Sequence, residues 1–209
     1  MKHPFLNSTT RRALAVAASA TVAMALMTLA GCSKPPEAAA TAPAASPTAA
    51  PLNAFDRVAQ QTRGFTVGKL LSANAVYVLF DPQCPHCGHL WQSSQPLLKQ
   101  AKFVWVPVSI INGKSTPQGA ALLSAANPAE LMAVHEASIL AGTGGTAASS
   151  SVADDIAQAI KTNTRVFGDL QGESVPMIVA KNAKTGALIT RAGALDTPAL
   201  AEFLGLNQP

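Results

Sequence analysis

The pattern of apolar and polar positions changes character several times along the chain. Residues 13–30 are an unbroken run of apolar and small residues behind a start that carries Lys2, Arg11 and Arg12, the layout of an export signal. Residues 33–51 are almost wholly Ala, Pro, Thr and Ser, with five prolines. Nothing in that stretch can be buried, so it predicts an extended tether, and the folded part begins near Leu52. Residues 75–80 (Ala-Val-Tyr-Val-Leu-Phe) form a short apolar and β-branched run ended by Asp81-Pro82, which predicts a buried strand. From Pro85 to Gln100 the period becomes helical: Leu90, Trp91, Leu97 and Leu98 share a face, Pro85 suits the first turn, and Pro96 predicts a kink. Residues 102–109 read as a second strand, with Pro107 at an edge or a strand end, and the strand, helix, strand series predicts a parallel pair with a right-handed crossover.

The middle of the chain reads as helical. Thr116-Pro117 and Asn127-Pro128 each suit an N-cap followed by proline, predicting helices near 117–126 and 128–140. Residues 141–151 are rich in Gly, Ser, Thr and Ala and read as a flexible loop, followed by a helix over 152–167. The Gly-Thr-Gly-Gly within that loop is no phosphate-binding signature, because no strand precedes it and no Gly-Lys-Ser/Thr follows. Strands over 177–180 and 187–190 flank a hairpin at residues 182–186, and Thr197-Pro198 opens a last helix to Leu204.

Composition narrows the class. The chain has 209 residues, 48% hydrophobic and 12% charged, which excludes disorder over its whole length and suits one domain with a real core. The formal charge of +4 rests on the leader: without Lys2, Arg11 and Arg12 there remain 12 basic against 11 acidic residues, so charge gives no support to a nucleic-acid partner. Leu29-Ala30-Gly31-Cys32 resembles the lipobox of bacterial lipoproteins. The resemblance implies that residues 1–31 are a cleaved signal peptide, that Cys32 is acylated, and that residues 32–51 tether a domain over 52–209 to a membrane. Ser33 resembles the sorting residue of outer-membrane lipoproteins.

The candidate chemistry is Cys84-Pro85-His86-Cys87. Two cysteines two residues apart, between a buried strand and a helix, place the first sulfur beside the unpaired amides of a helix N-terminus, which favours thiolate, the species that attacks disulfides. The second cysteine can then displace a mixed disulfide from the first. Cys84 is expected to be the exposed thiol and Cys87 the buried one, with a protonated His86 stabilising the thiolate. A haem site needs His where Gly88 stands. Zinc held by Cys84, His86, Cys87 and His89 lacks a second cysteine pair, and an inert structural disulfide is a further alternative. His89 and His135 read as surface or packing residues.

Ser174-Val175-Pro176-Met177 puts a proline at the start of a strand some ninety residues beyond the cysteines. Joined to the strand, Cys-x-x-Cys and helix, and followed by strand, hairpin, strand and helix, it resembles the thioredoxin fold: α/β, here with a helical insertion near residues 113–168 between the β-α-β and β-β-α halves. Residues 80–87 with Trp91 and the inserted segment 120–137 are similar to the catalytic domains of the periplasmic DsbC and DsbG thiol-disulfide proteins, over roughly residues 64–205. The resemblance implies a thiol-disulfide oxidoreductase that reduces or isomerises disulfides, or reduces sulfenylated cysteines, of envelope proteins. It implies Cys84 as nucleophile, Cys87 as resolving thiol, and Val175 and Pro176 as a cis-proline loop that borders the client. The redox-active disulfide needs no cofactor and no metal. The partners implied are client proteins and a membrane redox protein, DsbD-like as reductant or DsbB-like as oxidant. The DsbC and DsbG isomerases carry an N-terminal dimerisation module that residues 52–63 cannot supply, so a monomer is expected. Pro85-His86 and Val175 look more like the DsbA oxidase, which keeps a dithiol oxidase open as an alternative. A non-enzymatic peptide- or metal-binding module is the alternative of another class.

Overall fold

The computed structural model describes residues 51–148 and 150–209. The leader, Cys32 and nearly all of the tether lie outside the described residues. Among the described residues no helix is long and apolar enough to cross a membrane.

The sheet has five strands: β1 (Phe65–Gly68), β2 (Ala75–Phe80), β3 (Lys102–Pro107), β4 (Met177–Lys181) and β5 (Leu188–Ala192), in the spatial order β1-β3-β2-β4-β5. β2 and β3 run parallel, with Val78 opposite Trp105, as the strand, helix, strand series requires. β4 lies antiparallel to β2 on its other side, and β5 closes a hairpin onto β4. The turn of that hairpin is set by Asn182, whose side-chain oxygen accepts from the N–H groups of Lys184 and Thr185, and by Gly186 at φ +71°. This is the thioredoxin arrangement of a β-α-β half and a β-β-α half.

Two elements carry too weak a pattern to be read from the sequence. α1 (Ala54–Gln61) is capped by Asn53, and β1 pairs antiparallel to β3, Phe65 opposite Trp105. β3 is therefore an inner strand, and Pro107 marks its end, not an edge. Pro96 does not kink a long helix either. α2 (Pro85–Ser94) stops, and residues 95–97 form a single 3₁₀ turn, since proline cannot donate the next hydrogen bond.

The inserted helices are α3 (Ser115–Ser124), α4 (Pro128–Leu140) and α5 (Asp154–Asp169), and α6 (Thr197–Leu204) ends the fold. Asn127 and Asp196 cap α4 and α6 through their side chains. α3 opens two residues earlier than Pro117 suggested, because Ser115 turns inward to a buried carboxylate instead of leaving Thr116 to cap.

Side-chain alternation on the strands sorts the helices onto two faces. Tyr77 of β2 meets Phe55 of α1 at 5.2 Å between ring centroids. On the other face Phe80, Trp105 and Trp91 of α2 stack edge to face at 5.5 and 5.2 Å. Leu90, Trp91 and Leu97 are buried as the helical period required, and Leu98 is half-buried. α2 thus sits over an aromatic floor with α4 and α6 beside it, which holds its N-terminus at the C-terminal end of β2.

Candidate functional site

The loop between β2 and α2 is built around Asp81, which is fully buried. One carboxylate oxygen accepts from the Gln83 N–H at 2.9 Å and the Ser115 hydroxyl at 2.7 Å. The other accepts from the N–H groups of Ile110 and Ile111 at 2.7 and 3.0 Å. A buried charge is tolerable only when its lone pairs are filled, and these four donors fill them. They also tie the loop to the segment after β3.

Cys84 is the N-cap of α2, with Pro85 in the first turn. Neither cysteine is in a disulfide. Cys84 is 4% exposed and Cys87 0%, so the expectation of an openly exposed nucleophile is corrected: the first sulfur shows only an edge, though it is still the more accessible of the two. The Cys84 thiol lies 3.5 Å from the Val175 carbonyl oxygen, and the Val175–Pro176 peptide bond is cis. The fold therefore gathers Cys84, Cys87, Val175 and Pro176. Pro85, His86 and His89 stand exposed on the outer turn of α2, with the two imidazoles 6.4 Å apart. Among the described residues no three His, Cys, Asp or Glu side chains are gathered so as to hold a metal ion.

The Cys84 thiol is lowered from 9.0 to about 7. The main cause is a hydrogen bond from the Cys87 side chain to the Cys84 sulfur; burial opposes it, while the backbone N–H groups of Cys87 and His86 support it, and the charge of His86 contributes least. His86 is thus a minor influence on the thiolate. Cys87 is pushed well above its ordinary value, first by burial, then by the hydrogen bond and charge it shares with Cys84, with Glu136 adding to the effect. The asymmetry gives a direct expectation. Alkylation of the reduced protein by iodoacetamide should rise with pH through a midpoint near 7 and modify Cys84 alone. A midpoint near 9, or earlier modification of Cys87, contradicts the assignment of the two sulfurs.

The insertion supplies a layer of polar contacts that the sequence pattern does not reveal. His135 is fully buried. Its Nδ1 accepts from the Thr146 N–H at 3.1 Å, so its Nε2–H donates to the Pro82 carbonyl at 2.7 Å. Beyond packing, this histidine holds the peptide two residues before Cys84. Gln118, also buried, donates to the carbonyls of Gly144 and Thr146, both at 2.9 Å, and Gln83 donates to Gly144 at 3.1 Å. The loop over 141–151 is irregular as expected, but it is no free linker, because residues 144–146 are strapped onto the approach to the cysteines. Gly145 permits this: at φ +86°, a Cβ there would come within 2.5 Å of the His135 ring.

Glu136, next to His135, is a second buried residue without a clear signal in the sequence. It is 1% exposed, and neither carboxyl oxygen has a hydrogen-bond partner. Its Oε2 lies 2.9 Å from where a Cβ on Gly88 would stand, so only glycine after Cys87 leaves room for it. Burial, helped by the charge on Cys84, pushes this carboxyl from 4.5 up to about 9. The only sequence signal is its place on the inward stripe Met132, His135, Glu136, Ile139 of α4.

No family model matches the chain. The chain is similar to the thiol:disulfide interchange protein DsbG of Pseudomonas aeruginosa, 27% identical over 148 residues that make up 70% of this chain and 57% of that protein. It is likewise 27% identical to DsbG of Escherichia coli over 121 residues, 57% of this chain and 48% of that protein. The chain thus spans about half the length of the curated relatives it matches. In structure it is similar to the catalytic domain of Proteus mirabilis ScsC, with a TM-score of 0.57 at 15% identity over 72% of this chain and 92% of that one. It is also similar to a disulfide interchange protein of Neisseria gonorrhoeae, with a TM-score of 0.52 at 18% identity over 69% and 95%. These likenesses establish the thioredoxin-like fold.

Proposed function

We propose that the chain is a thiol-disulfide oxidoreductase of the bacterial envelope that reduces or reshuffles disulfides, or reduces sulfenylated cysteines, of client proteins. The observation that carries the reading is the pairing of Cys84 at a helix N-cap, lowered to about 7, with a fully buried Cys87 that hydrogen bonds to it. Similarity to the two DsbG proteins supports it.

In the reducing direction the Cys84 thiolate attacks one sulfur of a client disulfide. A Cys84–client bond forms, the client's own S–S bond breaks, and its second sulfur leaves as thiolate. Cys87, having lost its proton, then attacks the Cys84 sulfur, closing the Cys84–Cys87 disulfide and releasing the client reduced by two electrons. In the isomerising direction the freed client thiolate breaks a second client disulfide, and the thiolate this expels attacks the client sulfur bonded to Cys84, forming a new client disulfide and returning Cys84 as thiolate with no net electron transfer. Val175 and Pro176 border the captured chain beside the Cys84 sulfur. A dithiol-bearing membrane protein is the proposed source of reducing equivalents, and acylation of Cys32 the proposed anchor, with the domain on the periplasmic side.

A thiol near 7 resembles that of thioredoxin-type reductants more than the thiol near 3.5 of strong oxidases, and a less stabilised thiolate makes a less oxidising disulfide. The oxidase reading keeps the support of Pro85-His86. Equilibration of the domain with glutathione buffers decides between them. A potential toward about −200 mV or below supports reduction and isomerisation, and one near about −120 mV supports the oxidase. Failure of Cys84 and Cys87 to equilibrate at all removes the redox function.

A further inference from the structure

We propose that Glu136 is the proton relay of the Cys84–Cys87 pair, giving a proton to Cys87 when that sulfur is expelled and taking it back when Cys87 attacks. The inference rests on the thiol-disulfide reading above and concerns the step that reading leaves without a proton acceptor. Cys87 is fully buried, so a neighbouring group takes its proton faster than solvent can.

The groups around Glu136 leave few candidates. On the active-site helix α2 and its cap the titratable side chains are Cys84, His86, Cys87 and His89, and both imidazoles are exposed. On α4 itself, Glu130 is exposed, and both ring nitrogens of His135 are engaged, one with the Pro82 carbonyl and the other with Thr146. β1, which also packs on α4, contributes no titratable residue, and the only charged side chain at the start of α3 is the exposed Lys114. Asp81 has its oxygens filled by four donors. Glu136 is the remaining group: buried against Gly88 directly after Cys87, with both oxygens unpartnered and its charge coupled to both sulfurs. An unpaired buried carboxyl is expensive to keep, and the missing partner is supplied if the carboxyl serves a group whose protonation changes during turnover.

The atoms balance in both directions. A client thiolate attacks the Cys84 sulfur of the closed disulfide; the Cys84–Cys87 bond breaks, and Cys87 leaves as thiolate. The Glu136 carboxyl gives up its proton, leaving a carboxylate and a neutral Cys87 thiol. In the reverse step the carboxylate removes the Cys87 proton as that sulfur attacks Cys84 and the client departs as thiolate. When a second client thiolate instead frees Cys84 from the mixed disulfide, the new negative charge on Cys84 opposes the carboxylate, and Glu136 is reprotonated from solvent.

The test uses the intact domain and its Glu136→Gln variant, which keeps the shape and cannot pass a proton. The rate of disulfide closure from the glutathione mixed disulfide is followed from pH 5 to 10. The variant is expected to lose about 100-fold at neutral pH, and its profile should follow Cys87 and external base alone. In the wild-type protein, infrared absorption of the protonated carboxyl should persist above pH 7 and titrate at lower pH in the oxidised than in the reduced form. That second measurement needs no variant to fold. Equal rates and pH profiles for the two proteins, or a carboxyl ionised at pH 6 in both redox states, overturn the relay while leaving the redox function intact. A wild-type domain that exchanges with no thiol sinks both.

Discussion

Cys87→Ala should convert the protein from a turnover catalyst into a trap. A client sulfur bonded to Cys84 leaves quickly only because Cys87 is held against it, the two sulfurs sharing a hydrogen bond in the reduced state. Intramolecular attack of this kind has an effective concentration many orders above that of cellular thiols, so its loss should slow release by roughly 1,000-fold or more. Capture itself should survive, because the helix N-terminus and its amides still face Cys84. The Cys87 hydrogen bond is the main cause of the lowered Cys84 thiol, however, so the rate of capture at pH 7 should fall, and its pH midpoint should move up from about 7. Cys84→Ala should abolish capture and turnover together. Non-reducing electrophoresis of envelope extracts expressing each variant reads both effects as adducts that vanish with reductant. A folded Cys87→Ala protein with a reactive Cys84 and no adducts would speak against the proposed client chemistry.

Asp81→Ala should be the most damaging single change to the fold near the site. It removes the acceptor of the part-buried N–H groups of Gln83, Ile110 and Ile111 and of the buried Ser115 hydroxyl. Each orphaned donor costs about 1 kcal/mol or more, which sums to roughly 3–5 kcal/mol. For a domain of this size that is a fall in Tm of about 10 °C. Ser115→Ala, which removes a single donor and leaves the other three in place, should cost about 1 kcal/mol. Urea unfolding of the two variants measures the ratio, and equal small losses would show that the carboxylate is not the tie between β2 and the segment after β3. Because the same loop leads to the N-cap of α2, Asp81→Ala should also slow alkylation of Cys84.

Glu136 affects stability in the opposite sense. Its carboxyl titrates near 4.5 in an unfolded chain and near 9 here, so the pH-dependent part of its cost is absent below pH 4.5 and grows as pH rises from there toward 9. At pH 7 the penalty is about 3 kcal/mol. The four hydrogen bonds on Asp81 and the aromatic floor under α2 offset such a cost, and the site can thereby hold an unpaired acid beside its dithiol.

Local chemistry is legible in the sequence wherever a residue acts on its own neighbours in the chain. The apolar run Ala75–Phe80 specifies a buried strand and Pro85 onward a helix, and together they place Cys84 at a helix N-terminus. The hairpin at residues 182–186 follows from turn residues, and the caps at Asn127 and Asp196 lie within a residue of where proline marks the helix starts. Pairing and burial across the chain are decided only by the tertiary structure. β1 has four residues and is a strand because Trp105 lies opposite Phe65, a partner forty residues away. His135, Glu136 and Gln118 carry polar side chains that by type belong on the surface, and they are buried because the insertion folds over the approach to Cys84. Sequence assigned the tuning of Cys84 to the helix N-terminal amides and to His86; the fold keeps a contribution from the amides but assigns the tuning mainly to the Cys87 side chain, since a hydrogen bond inside the protein outweighs the charge of a side chain that solvent screens.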